Sequence, residues 1–235
     1  MSRSINLLKI FVLLLSFSLL AGCGPKNMKW IDPLSDSNNF GHEWAKTKVN
    51  DAERIRQLKT KRVAVALTQN MKNYIEYLKE SRVYSEKIGE MGVISKDASE
   101  AGVRAGDPKQ VTALYISIVK KHFNNATFVK TIIDAQDYDL LILLDRWTHY
   151  SNAFPDQGWN FTDKGGMYFI DPMKNELLGS ISIEASQSCI VEGRAPTQRA
   201  IMNRLGECGL SNSISLANRI DAGLRGLLET PSDSR

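Results

Sequence analysis

The spacing of apolar residues after residue 60 predicts alternating strands and helices. Residues 62–67 (RVAVAL) contain an uninterrupted apolar run, which is typical of a strand buried on both faces. In the next segment, 69–88, apolar residues recur at helical spacing: Met71, Tyr74, Ile75 and Leu78. We therefore predict a buried strand followed by an amphipathic helix.

A second helical pattern has a clear start. Asp107 belongs to a residue type that caps helix N-termini, and Pro108 is favoured in the first turn. One face of the helix that follows is apolar: Val111, Leu114, Ile118 and Val119. Residues 89–108, by contrast, are rich in glycine and turn-forming residues, so we predict irregular structure there.

The second half of the chain contains the strongest strand pattern and a hairpin. The predicted strands are 126–132, 137–150, 167–171 and 176–185, with a turn containing Pro and Asn inside the last pair. A polar loop is predicted at 151–166. A final amphipathic helix has an apolar face made of Ile214, Ala217, Ile220, Leu224 and Leu227.

Together these patterns predict an α/β (α+β sandwich-like) fold, in which amphipathic helices flank a single mixed sheet with a C-terminal β-hairpin. We predict one domain at 62–228, a length sufficient to bury a core of its own. A flexible tether at 23–61 precedes it and a disordered tail at 229–235 follows. The tether has no strand or helical period, except that 50–62 has the composition of a short helix.

The first 22 residues have the pattern of an export signal. Basic residues, Arg3 and Lys9, precede an apolar run at 10–20 that is shorter than the about 20 residues a membrane-spanning helix needs. The sequence that ends this segment, Leu20-Ala21-Gly22-Cys23, resembles the lipobox of bacterial lipoproteins. The alternative is an ordinary signal peptide with an incidental cysteine.

The lipobox resemblance implies a lipid anchor on Cys23. The Cys23 thiol would carry a diacylglycerol, the chain would be cleaved before it, and the new amino terminus would be acylated. Several acyl chains together give stable membrane attachment. Gly24 in place of Asp favours the outer membrane, facing the periplasm, if the host has two membranes and follows the enterobacterial sorting rule.

Net charge and cysteine content bear on nucleic-acid binding, disulfide formation and metal binding. The chain has 30 basic and 26 acidic residues; without Arg3 and Lys9 the balance is 28 to 26, a net charge of only +2. Without a basic run we predict no nucleic-acid binding. In an exported domain Cys189 and Cys208 predict a disulfide, with two separate buried thiols as the alternative. No histidine lies near either cysteine in sequence, so we predict no metal site.

The order of elements resembles the α/β domain of the curli-secretion channel lipoprotein and the penicillin-binding-protein activator lipoproteins. The residues that carry this resemblance are 62–67, 135–144 (AQDYDLLILL) and 168–180 (YFIDPMKNELLGS). Relatives tend to have Thr-Gly-Glu in the hairpin turn, where this chain has Lys174-Asn175-Glu176. Asparagine tolerates the left-handed conformation of such turns. The resemblance implies a non-enzymatic envelope protein that binds another protein, as a secretion or cell-wall-synthase accessory.

One group of residues raises an enzymatic alternative. Asp145, Trp147 and His149 alternate and therefore share one face of their strand. With Ser151 nearby, an acid, a base and a nucleophile for a hydrolase are present, but the chain has no Gly-x-Ser-x-Gly motif and no phosphate-binding glycine loop. We predict that the protein is not an enzyme and uses no cofactor.

Three aromatic residues of the predicted loop 151–166 are candidates for binding a partner. Phe154, Trp159 and Phe161 lie among polar residues, a composition typical of a binding loop with aromatic anchors. The alternative is that these rings fold back over the edge of the sheet. A second functional hypothesis is that the loop binds a small ligand or a glycan.

Overall fold

The computed structural model describes residues 29–34, 47–130, 133–153, 158–190 and 197–229. The predicted signal peptide at 1–22, the lipidation site Cys23 and the aromatic residue Phe154 lie outside the described residues. So do residues 230–235 of the predicted tail.

A six-stranded mixed sheet forms the centre of the fold, as predicted. The strands are β1 (Thr47–Lys48), β2 (Val63–Leu67), β3 (Ala126–Phe128), β4 (Leu140–Ala153), β5 (Gly158–Asp171) and β6 (Glu176–Ile190). Their order is β1-β6-β5-β4-β2-β3. The two pairings within β4–β5–β6 are antiparallel, and β1, β2 and β3 join by parallel pairing.

Helices cover one face of this sheet. They are α1 (Ala52–Leu58), α2 (Gln69–Glu90), α3 (Lys96–Ala105), α4 (Pro108–His122) and α5 (Gln198–Leu228). The main core lies between this layer and the sheet, and it includes Met71, Tyr115, Ile142, Leu144, Met167, Phe169, Leu216 and Ile220. Burying each such large side chain stabilises the fold by about 1.5–3 kcal/mol.

The strong sequence patterns are confirmed. Helix α2 includes the predicted 69–88, and the Asp107 carboxylate caps α4 by accepting from the Lys109 backbone N–H at 3.0 Å. The hairpin turn also follows the prediction, because Asn175 has a left-handed φ of 55°. On α5, Ala217, Ile220 and Leu224 are buried as predicted, whereas Ile214 is 41% exposed.

The predicted irregular segment 89–108 is wrong, because it contains helix α3. The Ser95 hydroxyl caps this helix by accepting from the Ala98 backbone N–H at 3.2 Å. Gly92, with φ of 68°, ends the preceding turn. Gly89 permits close packing of α2 on α3, since a Cβ there would lie 2.3 Å from the Ser99 hydroxyl. The glycines that suggested a loop therefore serve a turn and a tight helix contact.

The predicted loop 151–166 is also wrong where the structure describes it. Residues 151–153 continue β4, and residues 158–166 begin β5. The hairpin strands are therefore much longer than predicted, and β6 extends to Ile190.

Part of the predicted tether, 23–61, belongs to the folded body. Strand β1 pairs with the start of β6, and α1 buries Ile55 completely. Arg54 on α1 forms ion pairs with Asp171 and with Glu176, the latter at 3.1 Å. Residues 29–34 pack on the sheet as well, and they form part of the candidate site.

Candidate functional site

Within the described residues, no α-helix covers the second face of the β4–β5–β6 meander, although a short 3-10 helix, Ile133–Ala135, packs at its Leu141 and Leu143 end. We call this surface the open face. Because side chains alternate along each strand, the paired registers place one set of residues on it. They are Asp145, Trp147, His149, Asn160, Thr162, Lys164, Tyr168, Ser180, Ser182, Glu184, Ser186 and Ser188.

A cation between two indole rings forms the centre of the open face. The Lys164 ammonium lies 5.6 Å from the centre of the Trp30 ring and 5.9 Å from that of Trp147. It also pairs with the Glu184 carboxylate at 3.2 Å. The His149 ring stacks on Trp147, with centroids 5.7 Å apart and planes 7° apart. Trp30 is 40% exposed, so aromatic surface and charge are presented together.

Trp30 reaches this position because residues 29–34 are docked on the protein. The Asn70 side chain holds the Ile31 backbone twice, accepting from its N–H at 3.1 Å and donating to its carbonyl at 2.7 Å. Leu34 packs against the small apolar cluster on this side of the sheet, which includes Leu141 and Leu143. Asn70 is 2% exposed, so this clasp is largely shielded from water.

Asp145 holds the Asn70 side chain that binds the Ile31 backbone. One of its carboxylate oxygens accepts from the Thr68 hydroxyl at 2.5 Å and from the Asn70 amide at 3.0 Å. Asp145 is 3% exposed. Burial raises the pKa of Asp145 to about 6, against the opposing effect of these two hydrogen bonds. The Thr68 hydroxyl also caps helix α2 by accepting from the Met71 N–H. Strand β4, the start of helix α2 and the docked segment therefore meet at Asp145.

The predicted placement of Asp145, Trp147 and His149 on one face is confirmed, but the acid and base of a hydrolase do not meet. Four residues along a strand separate two Cα atoms by about 13 Å. Trp147 lies between them and stacks on His149, while Asp145 is hydrogen-bonded to Thr68 and Asn70. The absence of enzymatic activity remains a prediction.

The opposite side of the same strands carries a buried charge. Arg146 is 1% exposed and donates to the Asp163 carboxylate and to the Ser213 hydroxyl, each at 3.0 Å. Its guanidinium lies 4.5 Å from the centre of the Tyr74 ring. The Asn212 amide donates to the same Asp163 oxygen at 2.6 Å. This network joins α5 to the sheet and has a structural role.

Of the three predicted partner-binding aromatic residues, only Phe161 has a described side chain, and Phe154 lies outside the described residues. Phe161 is 4% exposed and lies on the helical side of β5, where it clusters with Cys189 and Cys208. The Trp159 backbone is in β5, opposite Cys189, and its side chain is outside the description. Because Phe161 faces inward, this structure does not present it to a partner. The roles of Phe154 and Trp159 remain predictions.

The predicted disulfide is present. Cys189 at the end of β6 is bonded to Cys208 on α5, with 6.1 Å between the Cα atoms. The described residues contain no cluster of three or more His, Cys, Asp or Glu side chains suited to a metal. None of the helices in the described ranges is long and apolar enough to cross a membrane.

Sequence reasoning missed Lys164, and for Trp30 it left open whether the ring docks on the domain or enters the membrane interface. Lys164 lies in the segment that was predicted to be a loop, and Trp30 was assigned to the tether. One signal was available for Trp30, since a tryptophan is unusual in a flexible linker. Its docking depends on Asn70 and Lys164, which are distant in sequence.

No protein family matches the sequence, and no curated protein matches it. One solved structure similar to part of this chain is the crystal structure of the rare lipoprotein B from Shewanella oneidensis. The two proteins are 15% identical, the alignment covers 51% of this chain and 90% of the other, and the TM-score is 0.31. The functional proposal below is based on the chain's own residues and not on this similarity.

Proposed function

We propose that this protein is a membrane-anchored envelope lipoprotein that binds another protein through its open face and has no enzymatic activity. The observation that carries the proposal is the cation–aromatic centre, where Lys164 lies between Trp30 and Trp147 on a sheet face without a helical layer in the described residues. Aromatic residues are enriched at the centres of protein interfaces. The lipobox supplies the anchor at Cys23.

The surroundings of this centre support a protein partner. Exposed hydroxyls follow the strands, and cross-strand pairs such as Thr162 and Ser186 lie 3.2 Å apart. Lys164 and Glu184 add one charge of each sign. A polar rim around an aromatic centre is the usual anatomy of a non-obligate interface.

Photo-crosslinking in the native host tests this proposal. A photoreactive residue at Ser186, exposed on the open face, should give one dominant protein adduct, whereas the same residue at Glu100 on α3 should not. Lys164→Glu should lower the Ser186 adduct yield about tenfold, because reversing the central charge is expected to cost at least about 1.4 kcal/mol of binding. Equal adducts from both positions, or a yield unaffected by Lys164→Glu, would refute open-face binding.

A glycan or small ligand is the second candidate, favoured by one observation. The stacked, nearly parallel Trp147 and His149 rings beside a row of serine hydroxyls offer both aromatic surface and hydrogen-bonding groups. This function predicts a thermal shift of the purified protein with peptidoglycan fragments, which Trp147→Ala should abolish. Protein binding predicts no shift with such fragments.

A further inference from the structure

The docked segment 29–34 shortens the connection between the anchor and the folded body. Ile31, clasped by Asn70, is eight residues after Cys23 in the sequence. A chain spans at most about 3.5 Å per residue, so this connection reaches no more than about 28 Å. If the segment were free as far as Thr47, the 24 residues after Cys23 would reach about 84 Å.

The chain enters the folded body on the open-face side. Trp30 lies over Lys164 and Leu34 packs on the apolar cluster of that same side. A helix layer about 10 Å thick covers the other face of the sheet, and α3 packs outside it on α2 and α5. Because the short connection from Cys23 reaches the folded body on the open-face side, we expect the open face to be turned toward the membrane.

The charge of the open face argues against a lipid surface as its binding partner. Anionic membranes attract clusters of four or more Lys or Arg residues. Here Lys164 is paired with Glu184, and the docked segment adds one cation, Lys29, and one anion, Asp32, so the face has only two basic residues among those described. The aromatic centre with a balanced ion pair suits a protein surface.

We infer that the docked segment turns the open face toward the membrane that carries Cys23, so that its partner is a protein embedded in that membrane. This inference rests on the proposed anchoring and protein binding. Beyond the proposed function, it specifies how the domain is oriented on the membrane and where its partner is located.

Short-range fluorescence quenching tests the orientation. The acylated, full-length protein is reconstituted into vesicles of phosphatidylethanolamine and phosphatidylglycerol that contain a lipid with a spin-labelled headgroup. A fluorophore is attached to a cysteine introduced by Ser186→Cys on the open face, or by Glu100→Cys on α3 as the matched control. With Cys23 acylated and Cys189 bonded to Cys208, the introduced thiol is the only free one.

We expect quenching at residue 186 to be several-fold greater than at residue 100. Inserting 20 Gly/Ser residues between Lys26 and Asn27, which precede the first described residue, should reduce quenching at 186 to the level at 100. Equal quenching at both positions in the uninserted protein would overturn the orientation while leaving the lipoprotein assignment intact. A protein that does not float with vesicles would overturn the anchoring, and the inference with it.

The Ser186 photo-adduct tests the location of the partner. Identification of the adduct by mass spectrometry should yield a protein with membrane-spanning segments. A soluble protein or a cell-wall fragment as the dominant adduct would overturn this part of the inference, even if the quenching result agrees with it.

Discussion

At the residue scale, the buried charge of Arg146 is the feature that depends most on its neighbours. Its guanidinium is held by Asp163 and Ser213, and it lies over the Tyr74 ring. Replacing one member of a buried ion pair leaves the other charge uncompensated, which typically costs about 3–5 kcal/mol. We expect Arg146→Ala to lower the free energy of unfolding in urea by that amount.

The adjacent open-face lysine provides the control for this prediction. Lys164 pairs with an exposed carboxylate, and exposed pairs contribute about 0–1 kcal/mol. Lys164→Ala should therefore change stability little. The double replacement Arg146→Met with Asp163→Leu should cost less than Arg146→Ala, since no unpaired charge remains. Similar losses for Arg146→Ala and Lys164→Ala would show that the buried pair is not what stabilises this region.

At the element scale, the disulfide joins the far end of β6 to the first half of α5. It closes a loop with a sequence separation of 19 residues. On the chain-entropy relation, a loop of this length stabilises the folded state by about 3 kcal/mol. Cys189→Ser and Cys208→Ser should each lower the free energy of unfolding by about this amount, measured by urea denaturation.

The double variant separates the bond from the packing of the thiols. If the cross-link is responsible, the double replacement should cost no more than either single one, and reduction of the wild type should have the same effect. Additive losses in the double variant would instead assign the stability to side-chain packing against Phe161. The mass of the native protein should rise by two hydrogens on reduction.

Elements that follow local sequence rules could be predicted from the sequence, whereas elements that depend on distant partners could not. Strand β2 and helix α4 follow local rules, namely an apolar run and an Asp107 cap with Pro108. The start of β5 does not, because its inward-facing Asp163 pairs with Arg146 and its outward-facing neighbours are polar. Trp159 and Phe161 alternate with Asn160 and Thr162, but the alternation stops at Asp163 and two glycines follow, so residues 158–166 have the composition of a loop. The buried carboxylate of Asp163 is explained by its ion pair with Arg146 on β4, which the local sequence does not indicate.

At the scale of the whole molecule, the candidate site depends on contacts between segments distant in sequence. Ile31 lies 39 positions from Asn70 and Trp30 lies 134 positions from Lys164, yet both pairs are in contact. The sequence predicted that Asp145, Trp147 and His149 share a face, which is correct. It placed the binding surface in an aromatic loop, whereas Phe161 faces inward and the exposed indole over Lys164 comes from the predicted tether.

Asp145 links the docked segment to the pH dependence of folding. Its pKa is raised from 3.8 to about 6 in the folded protein, because burial disfavours the charged form. Between pH about 4 and about 6, the folded state therefore binds more protons than the unfolded state. The stability that Asp145 contributes is fully present below pH about 4 and is lost as pH rises through about 6, by about 3 kcal/mol.

Asp145→Asn isolates this effect, since it removes the titration and keeps an oxygen to accept from Thr68 and Asn70. The difference in unfolding free energy between wild type and Asp145→Asn, measured in urea at pH 3, 5, 6 and 7, should shift by about 3 kcal/mol in favour of the variant. Ser182→Ala, on the same face, should show a difference that does not vary with pH. Parallel pH curves for wild type and Asp145→Asn would mean that Asp145 is solvated in solution, and the clasp on Ile31 would then lack its buried support.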